Sequence, residues 1–186
     1  MRVIAGKYRS RPLRSLRGLD LRPTADRLRE TLFNVLTAGN PQALEDSLWL
    51  DLYAGTGAVG IEALSRGAAM VYLVESSASA AELIRKNIDS LGVNSSFQIM
   101  KQDAGRALQM LGTRGVVADF IFLDPPYRME EDYGKILGGA SQPLKETGIV
   151  IAEHDKRFDP GEKFENLLRY RKLQQGDAAL SFYRRT

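Results

Sequence analysis

An aspartate, two prolines and a tyrosine follow a short apolar run and could do chemistry together. The run Phe120-Ile121-Phe122-Leu123 is typical of a buried strand, and Asp124-Pro125-Pro126-Tyr127 comes directly after it. Neither proline can donate a backbone N–H to a sheet, so the chain must leave the sheet at Asp124. The turn would offer a carboxylate, a free carbonyl and an aromatic ring, which could hold a flat ring that carries an amino group. A simple strand-ending acidic turn is the alternative.

A glycine-rich loop is the second candidate. Gly55, Gly57 and Gly60 match the pattern G-x-G-x-x-G between a predicted strand, Leu48–Leu52, and a predicted helix, Ala58–Ser65. Such a loop lets a ligand come close to the backbone and directs the N–H groups of a helix start toward it. Nicotinamide dinucleotide enzymes and S-adenosylmethionine enzymes both use this loop, so the glycines alone do not decide between the two classes.

Three acidic residues at the ends of successive predicted strands favour the second class. Asp51 would attract the cationic amino group of a methionine moiety but would repel a pyrophosphate. Glu75 could bind both ribose hydroxyls, as it would also in a nicotinamide site. Asp103 could accept a hydrogen bond from the adenine amino group. The alternatives are that Asp51 is a turn residue, Glu75 a solvated strand end and Asp103 a helix cap. Each alternative is reasonable for one residue, but together they do not explain why acids end three successive strands.

Short apolar segments alternate with amphipathic ones along most of the chain. Helices fit between the strands, and the clearest covers residues 77–91. The alternation predicts an α/β fold with a parallel sheet covered by helices on both faces. Five strands are predicted, at residues 48–52, 71–75, 97–100, 120–123 and 149–152.

The two ends of the chain depart from this pattern. Residues 167–173 and 180–183 flank a turn and predict an antiparallel hairpin. A small basic hairpin or an extended arm is predicted within residues 2–13, followed by a helix over residues 26–36. We therefore divide the chain into a basic N-terminal arm with its helix, residues 1–40, and a main domain, residues 41–186.

The composition excludes several kinds of protein. With 186 residues, 44% of them hydrophobic, the chain can bury one substantial core. It has no cysteine and a single histidine, His154, which excludes a disulfide framework and metal sites built from thiolates or histidine clusters, so we expect no metal. No apolar run suits a signal peptide or a membrane span, which predicts a cytoplasmic protein that does not act at a membrane.

The positive charge is concentrated at the start of the chain. Residues 1–30 hold nine Lys or Arg against three Asp or Glu, whereas the remainder holds 17 basic and 20 acidic residues. A basic arm on a slightly acidic body suggests that the arm binds a polyanion, with Arg9, Arg11 and Arg14 as candidates for contacts with RNA phosphates. A solvated tail is the alternative, but apolar residues interleaved with the charges favour a folded element.

Two motifs together resemble a known superfamily. Asp51-Leu52-Tyr53-Ala54-Gly55-Thr56-Gly57 with Asp124-Pro125-Pro126-Tyr127 is similar to class I S-adenosylmethionine-dependent methyltransferases that act on an exocyclic amine. Tyr53 and Thr56 stand where Phe and Ser are expected in many members. Four further segments resemble the bacterial 16S ribosomal RNA guanine-N2 methyltransferases, the D-type enzymes of the small subunit: residues 2–9, 22–27, 64–68 and 181–185.

The resemblance implies a Rossmann-like sheet of seven strands with an antiparallel last strand. It implies a small RNA-binding N-terminal extension, S-adenosylmethionine as the cofactor, and methylation of N2 of guanine 966 in 16S ribosomal RNA, either free or in a small ribosomal subunit particle. We expect the protein to be a monomer. The residues implied to hold the cofactor are Asp51, Tyr53, Gly55, Gly57, Glu75 and Asp103.

Methyl transfer would need positioning more than a protein nucleophile, because the amine attacks the methyl group directly. Asp124 and the Pro125 carbonyl would accept the two hydrogens of the amine. Tyr127 would stack on a base that has left its helix or loop, with a packing role as the alternative.

Other functions stay open on the residues alone. An adenine-N6 nucleic-acid methyltransferase or a protein-glutamine methyltransferase shares the tetrapeptide, and only the family resemblance favours guanine. A nicotinamide-dependent dehydrogenase fits the glycines and Glu75 but gives Asp51 no role. A non-catalytic RNA-binding assembly factor fits the basic arm but leaves the strand-end acids unexplained.

Overall fold

The computed structural model describes residues 1–15, 23–126 and 129–186, which form five helices and eight strands. The helices are α1 (Pro23–Thr37), α2 (Ala58–Ser65), α3 (Ala78–Ser90), α4 (Ala104–Thr113) and α5 (Glu130–Ala140). The strands are β1 (Leu48–Leu52), β2 (Met70–Val74), β3 (Phe97–Met100), β4 (Ala118–Leu123), β5 (Leu144–Asp155), β6 (Lys163–Phe164), β7 (Leu167–Gln175) and β8 (Ala178–Arg185).

The described strands form one sheet in the order β3-β2-β1-β4-β5-β8-β7-β6. β1 to β5 run parallel, β8 runs antiparallel to β5, and β7 and β6 continue the sheet in antiparallel pairs. The predicted α/β class and the reversed last strand are confirmed. The sheet has eight strands where seven were predicted, because the two-residue β6 pairs with the start of β7.

The sheet separates two apolar cores because successive side chains point to opposite faces. In β1, Trp49 lies in the core covered by α1, α2 and α3, whereas Leu50 lies in the core covered by α4 and α5. Trp49 is fully buried, and its ring stacks on Phe33 of α1 with the centroids 5.4 Å apart. Helix α1 is thereby fixed over the face that carries Asp51. No helix among the described residues is both long and apolar enough to span a membrane.

Of the two predicted alternatives for the N-terminal basic segment, the structure shows the hairpin, and it docks on α2. The buried Glu62 carboxylate accepts the N–H groups of Ile4 (2.7 Å) and Ala5 (3.0 Å). Gly6 has φ +79°, and a Cβ there would lie 1.8 Å from the Ser65 carbonyl oxygen, so the close approach requires glycine. The division of the chain at residue 40 stays a prediction, although arm and sheet share one core.

Most predicted helices and strands are confirmed within a few residues, and β5 is the main exception. The sequence predicted a strand over residues 149–152, whereas β5 covers Leu144–Asp155. Pairing with β8 extends the strand as far as the pair of Asp155 and Ala178. Glu153 and His154 therefore belong to the sheet, whereas the sequence predicted that the strand ends at residue 152.

Candidate active site

Three carboxylates lie at the carboxyl ends of the adjacent strands β1, β4 and β5. Asp51 is the register partner of Phe122, and Phe122 is the partner of Ile151. Asp124 and Glu153 follow these partners by two residues, so all three acids belong to the same face of the sheet. They line one cavity of about 200 Å³, which α1 and the loop after β1 also border.

Asp51 is fixed at the inner end of this cavity. Its side chain is buried, and one carboxylate oxygen accepts the N–H of Gly60 on α2 at 2.8 Å. Burial raises the pKa of Asp51 to about 7, against the lowering effect of the Gly60 hydrogen bond and with smaller raising effects from Asp124 and Glu75. The site thus keeps a poorly solvated carboxylate that gains from a cationic ligand.

Asp124 stands at the mouth of the cavity. Its side chain is open to solvent on the cavity side, while the surrounding protein limits its hydration and raises its pKa to about 7. Pro125 is buried and Pro126 is exposed, so the chain turns out of the sheet here as predicted. Tyr127 lies outside the described residues, and its proposed stacking role stays a prediction.

The glycine loop has a different task at each glycine. Gly55 has φ +56° and open space around its Cα, because a Cβ there would have only the Tyr53 carbonyl oxygen within 4 Å. Gly57, with φ +77°, begins α2, and a Cβ there would lie 3.2–3.3 Å from side-chain atoms of Ile84 and Leu73. Close backbone approach by a ligand is therefore possible at Gly55, whereas Gly57 is also needed for packing.

The third glycine of the motif is required by packing. A Cβ at Gly60 would lie 2.9 Å from side-chain atoms of Leu73 and Val71 and 3.0 Å from Asp51. The absence of a side chain allows α2 to lie close to β1 and β2, and it brings the Gly60 N–H to the Asp51 carboxylate.

Glu75 is tied to the glycine loop. Its two carboxylate oxygens accept the N–H of Gly55 at 2.9 Å and the N–H of Ser77 at 2.8 Å. The side chain is half-buried at the end of β2, and each carboxylate oxygen has further acceptor capacity. The position suits the predicted contact with ribose hydroxyls, which stays a prediction.

Asp103 is not brought into the acidic cavity. It is exposed after β3, and its carboxylate accepts the N–H of Arg106 as the N-cap of α4. The helix-cap alternative is therefore observed. One capping bond leaves acceptor capacity on the carboxylate, so its predicted adenine contact is untested.

Tyr53 lines the cavity and connects it to α5. Its hydroxyl donates to Asp132 at 2.9 Å, and burial together with that carboxylate raises its pKa above the ordinary value. Its φ of +61° is uncommon for a residue other than glycine, and it turns the chain from β1 into the glycine loop.

The three arginines predicted to contact RNA are exposed on the N-terminal arm, away from the cavity lining. Arg11 donates to the Ser90 carbonyl at 3.1 Å. The backbone of Arg14 is held by buried Asn87, which accepts its N–H at 2.8 Å and also donates to the Thr56 carbonyl in the glycine loop. The arm and the glycine loop are thus joined through one side chain. Arg22, in the resembling segment 22–27, lies outside the described residues.

Two cavity residues were missed by sequence reasoning. Glu153 lines the cavity near the end of β5. Its position directly after the predicted strand 149–152 was the signal that could have identified it. His154 itself is fully buried and bonds Ser181, which agrees with a structural role. Arg29 of α1 lines the cavity with a buried guanidinium that donates to the Arg2 carbonyl at 2.7 Å.

Among the described residues, no group of three or more Asp, Glu, His or Cys side chains is placed to hold a metal ion.

The fold and the site together define a class. The Rossmann-like α/β sheet is a fold shared with solved methyltransferases, and in this chain it carries a glycine loop after β1 and acids at adjacent strand ends. The structure named "Putative methyltransferase yhhF from Escherichia coli" has 28% identity and a TM-score of 0.80, covering 100% of this chain and 97% of that one. SMU.776 complexed with SAH has 15% identity and a TM-score of 0.70, covering 88% and 50%, and it shows the fold alone.

The chain belongs to the family described as Conserved hypothetical protein 95, which matches residues 1–184. "Putative rRNA methyltransferase YlbH" of Bacillus subtilis is 34% identical over 186 residues, which are 100% of this chain and 99% of that protein. "Ribosomal RNA small subunit methyltransferase D" of Haemophilus influenzae is 38% identical over 158 residues, covering 84% and 79%. The resemblance found in the sequence is confirmed at the level of the family.

Proposed function

We propose that this protein transfers a methyl group from S-adenosylmethionine to the exocyclic N2 of a guanine in 16S ribosomal RNA, at nucleotide 966. The observation that carries the proposal is the single cavity in which Asp124 lies with Asp51 and the glycine loop. The name of the Haemophilus relative supports small-subunit ribosomal RNA as the substrate.

The residues in and around the cavity are of the types that S-adenosylmethionine needs as partners. The buried Asp51 carboxylate would bind the α-amino group, Gly55 leaves open space for close approach, and Glu75 would bind the ribose. Tyr53 would form part of the wall and Gly57 the helix start behind the loop. The cofactor supplies an electrophilic methyl group.

Asp124 would orient the acceptor amine. The N2 lone pair of guanine is delocalised into the ring, so the nitrogen is a weak nucleophile. A carboxylate and the Pro125 carbonyl that accept its two hydrogens would draw the nitrogen toward tetrahedral geometry and offset its developing positive charge. Because Asp124 is at the cavity mouth, the base must leave its stack to reach it, and Tyr127 would then stack on it.

The basic arm would position the RNA. Arg9, Arg11 and Arg14 are exposed, so their side chains are available to phosphates. The arm is docked on α2 through Glu62, which keeps these charges at a fixed place relative to the cavity.

The test is to incubate the protein with methyl-labelled S-adenosylmethionine and either free 16S RNA or small-subunit particles from a strain that lacks the activity. We expect label at N2 of guanine 966 in one of these substrates. Mapping the modified nucleotide separates the alternatives. Label at an adenine N6 or on protein would contradict the proposal, and RNA binding without any transfer would favour an assembly factor.

A further inference from the structure

Glu153 is an acid of the cavity for which the roles proposed above leave no task. It lies near the carboxyl end of β5, half-buried, with Leu180 of β8 as its register partner. The last register pair between β4 and β5 joins Leu123 to Ala152, so Asp124 and Glu153 come next on the two chains. Strands in a sheet lie about 4.8 Å apart, which places these two carboxyl groups side by side on one cavity wall.

The Glu153 carboxylate has acceptor capacity that the protein does not use. Among the described residues no hydrogen bond donor to it is found, whereas its backbone carbonyl accepts the Tyr133 hydroxyl at 2.6 Å and holds the strand in place. Limited hydration and the neighbouring Asp124 raise the pKa of Glu153 well above its ordinary value, so the ionised carboxylate is favoured when a ligand N–H donates to it. The guanidinium of Arg29 also borders the cavity, but it donates to the Arg2 carbonyl and to Asp26.

Apolar side chains also line the cavity. Phe122 and Leu180 belong to the sheet and Leu28 and Leu32 to α1, and all four are buried. An apolar slot suits the faces of a flat ring, and two adjacent carboxyl groups suit a ring edge that presents adjacent hydrogen bond donors.

We propose that Glu153 accepts the N1–H of the target guanine while Asp124 holds its N2 amine, so that Glu153 selects guanine over adenine. This inference rests on the proposed function. Guanine presents the N1–H donor beside the N2 amine, whereas adenine presents a lone pair at N1 beside its N6 amine. A carboxylate that faces the N1–H gains a hydrogen bond, and one that faces the lone pair is repelled.

RNA with 2-aminopurine at the target position tests the inference. This base keeps the N2 amine but has a lone pair at N1, so it removes the one donor assigned to Glu153. We expect the wild-type protein to methylate guanine with a kcat/KM at least about 100-fold higher than for 2-aminopurine. In Glu153→Gln the side-chain amide can donate to N1 of 2-aminopurine, and we expect the ratio to fall by at least tenfold, about 1.4 kcal/mol.

Glu146→Gln is the matched control, because Glu146 lies on the same strand with an 84% exposed side chain outside the cavity. This variant should keep the wild-type ratio of kcat/KM for guanine to kcat/KM for 2-aminopurine. Unchanged affinity of Glu153→Gln for S-adenosylmethionine, measured by calorimetry, would show that the variant is folded. Similar rates on both bases in the wild type, or a wild-type ratio in Glu153→Gln, would overturn the inference alone. No transfer to guanine by the wild type would overturn the proposed function as well.

Discussion

At the scale of the residue, the site depends on carboxylates whose pKa the protein raises before any ligand binds. Asp51 is buried and Asp124 is exposed at the cavity mouth, and the pKa of each is raised to about 7. Such groups gain more from a cationic or hydrogen-bonding ligand than solvated carboxylates do. Their chemistry is therefore set by their surroundings.

Asp124→Ala should lower the single-turnover rate of methyl transfer by about 1,000-fold, because the amine loses its main acceptor and the charge opposite it. Binding of S-adenosylmethionine, measured by calorimetry, should stay close to wild type. Asp119→Ala is the control on the same strand, since Asp119 lies at the opposite end of β4 and contacts Lys145. It should retain activity, and near-normal activity in Asp124→Ala would contradict the assigned role.

Asp51 makes the stability of the free protein depend on pH. Because burial raises its pKa from 3.8 to about 7, the folded protein binds this proton more tightly than the unfolded chain. The stabilisation is complete below the unfolded pKa and is lost as pH rises through about 7. Between pH 5 and pH 8 we expect Asp51 to account for a fall of roughly 2 kcal/mol in the free energy of unfolding.

Urea denaturation measures this change in the free energy of unfolding. The wild type and Asp51→Asn would be compared without cofactor at several pH values. The variant should lack that part of the pH dependence and should be more stable than wild type at pH 8, while binding S-adenosylmethionine more weakly. Parallel stability profiles for the two proteins would rule out the assignment of the shift to Asp51.

At the scale of the element, the N-terminal hairpin is fixed by side chains of α2 and α3. Glu62 binds two of its N–H groups, and Asn87 connects Arg14 to the carbonyl of Thr56 in the glycine loop. The segment that would meet RNA and the loop that would meet the cofactor therefore share one support.

Gly6→Ala should detach the hairpin. The new Cβ would lie 1.8 Å from the Ser65 carbonyl, at φ +79°. Gly39→Ala is a matched control, because Gly39 has φ +83° but nothing within 4 Å of a Cβ. Both variants bear the cost of a left-handed alanine, about 1 kcal/mol. Only Gly6→Ala should show faster proteolysis within the first 15 residues, and equal proteolysis of both would argue against docking at this contact.

At the scale of the whole molecule, charge and chemistry are separated. The first 30 residues carry all of the basic excess and the remainder is net acidic, while the cavity is lined by acids at the strand ends. A polyanion would be attracted to the arm and repelled from the cavity walls, so a single base would have to enter while the phosphates stay outside.

Replacing Arg9, Arg11 and Arg14 together by alanine should weaken RNA binding and reduce the slope of log K against log salt by about 2 to 3. Affinity for S-adenosylmethionine should not change, since Asn87 holds the backbone of Arg14 and none of the three side chains lines the cavity. A triple variant of exposed Arg114, Arg157 and Lys163 removes the same charge elsewhere and is the control. An unchanged slope in the arm variant would reject the arm as the RNA contact.

Much of the site could be predicted because its parts follow local rules. Apolar runs predict strands, glycines predict the loop, and the carboxyl ends of parallel strands meet at one edge. Asp51, Gly55 and Asp124 were named on this basis and Tyr53 through the family resemblance, and the structure brings all four to one cavity. The family was predicted in the same way, because its motifs are contiguous segments of chain.

What the sequence by itself determined, then, is where β1 to β4 end, to within a residue, and which family the chain belongs to. Only the tertiary structure decided that β5 continues to Asp155 by pairing with β8, which adds Glu153 to the cavity beside Asp124. It also decided that Asp103 caps α4 outside that cavity. Strand order and the pairing of distant segments arise from contacts between residues far apart in the chain, and no local pattern of side chains specifies them.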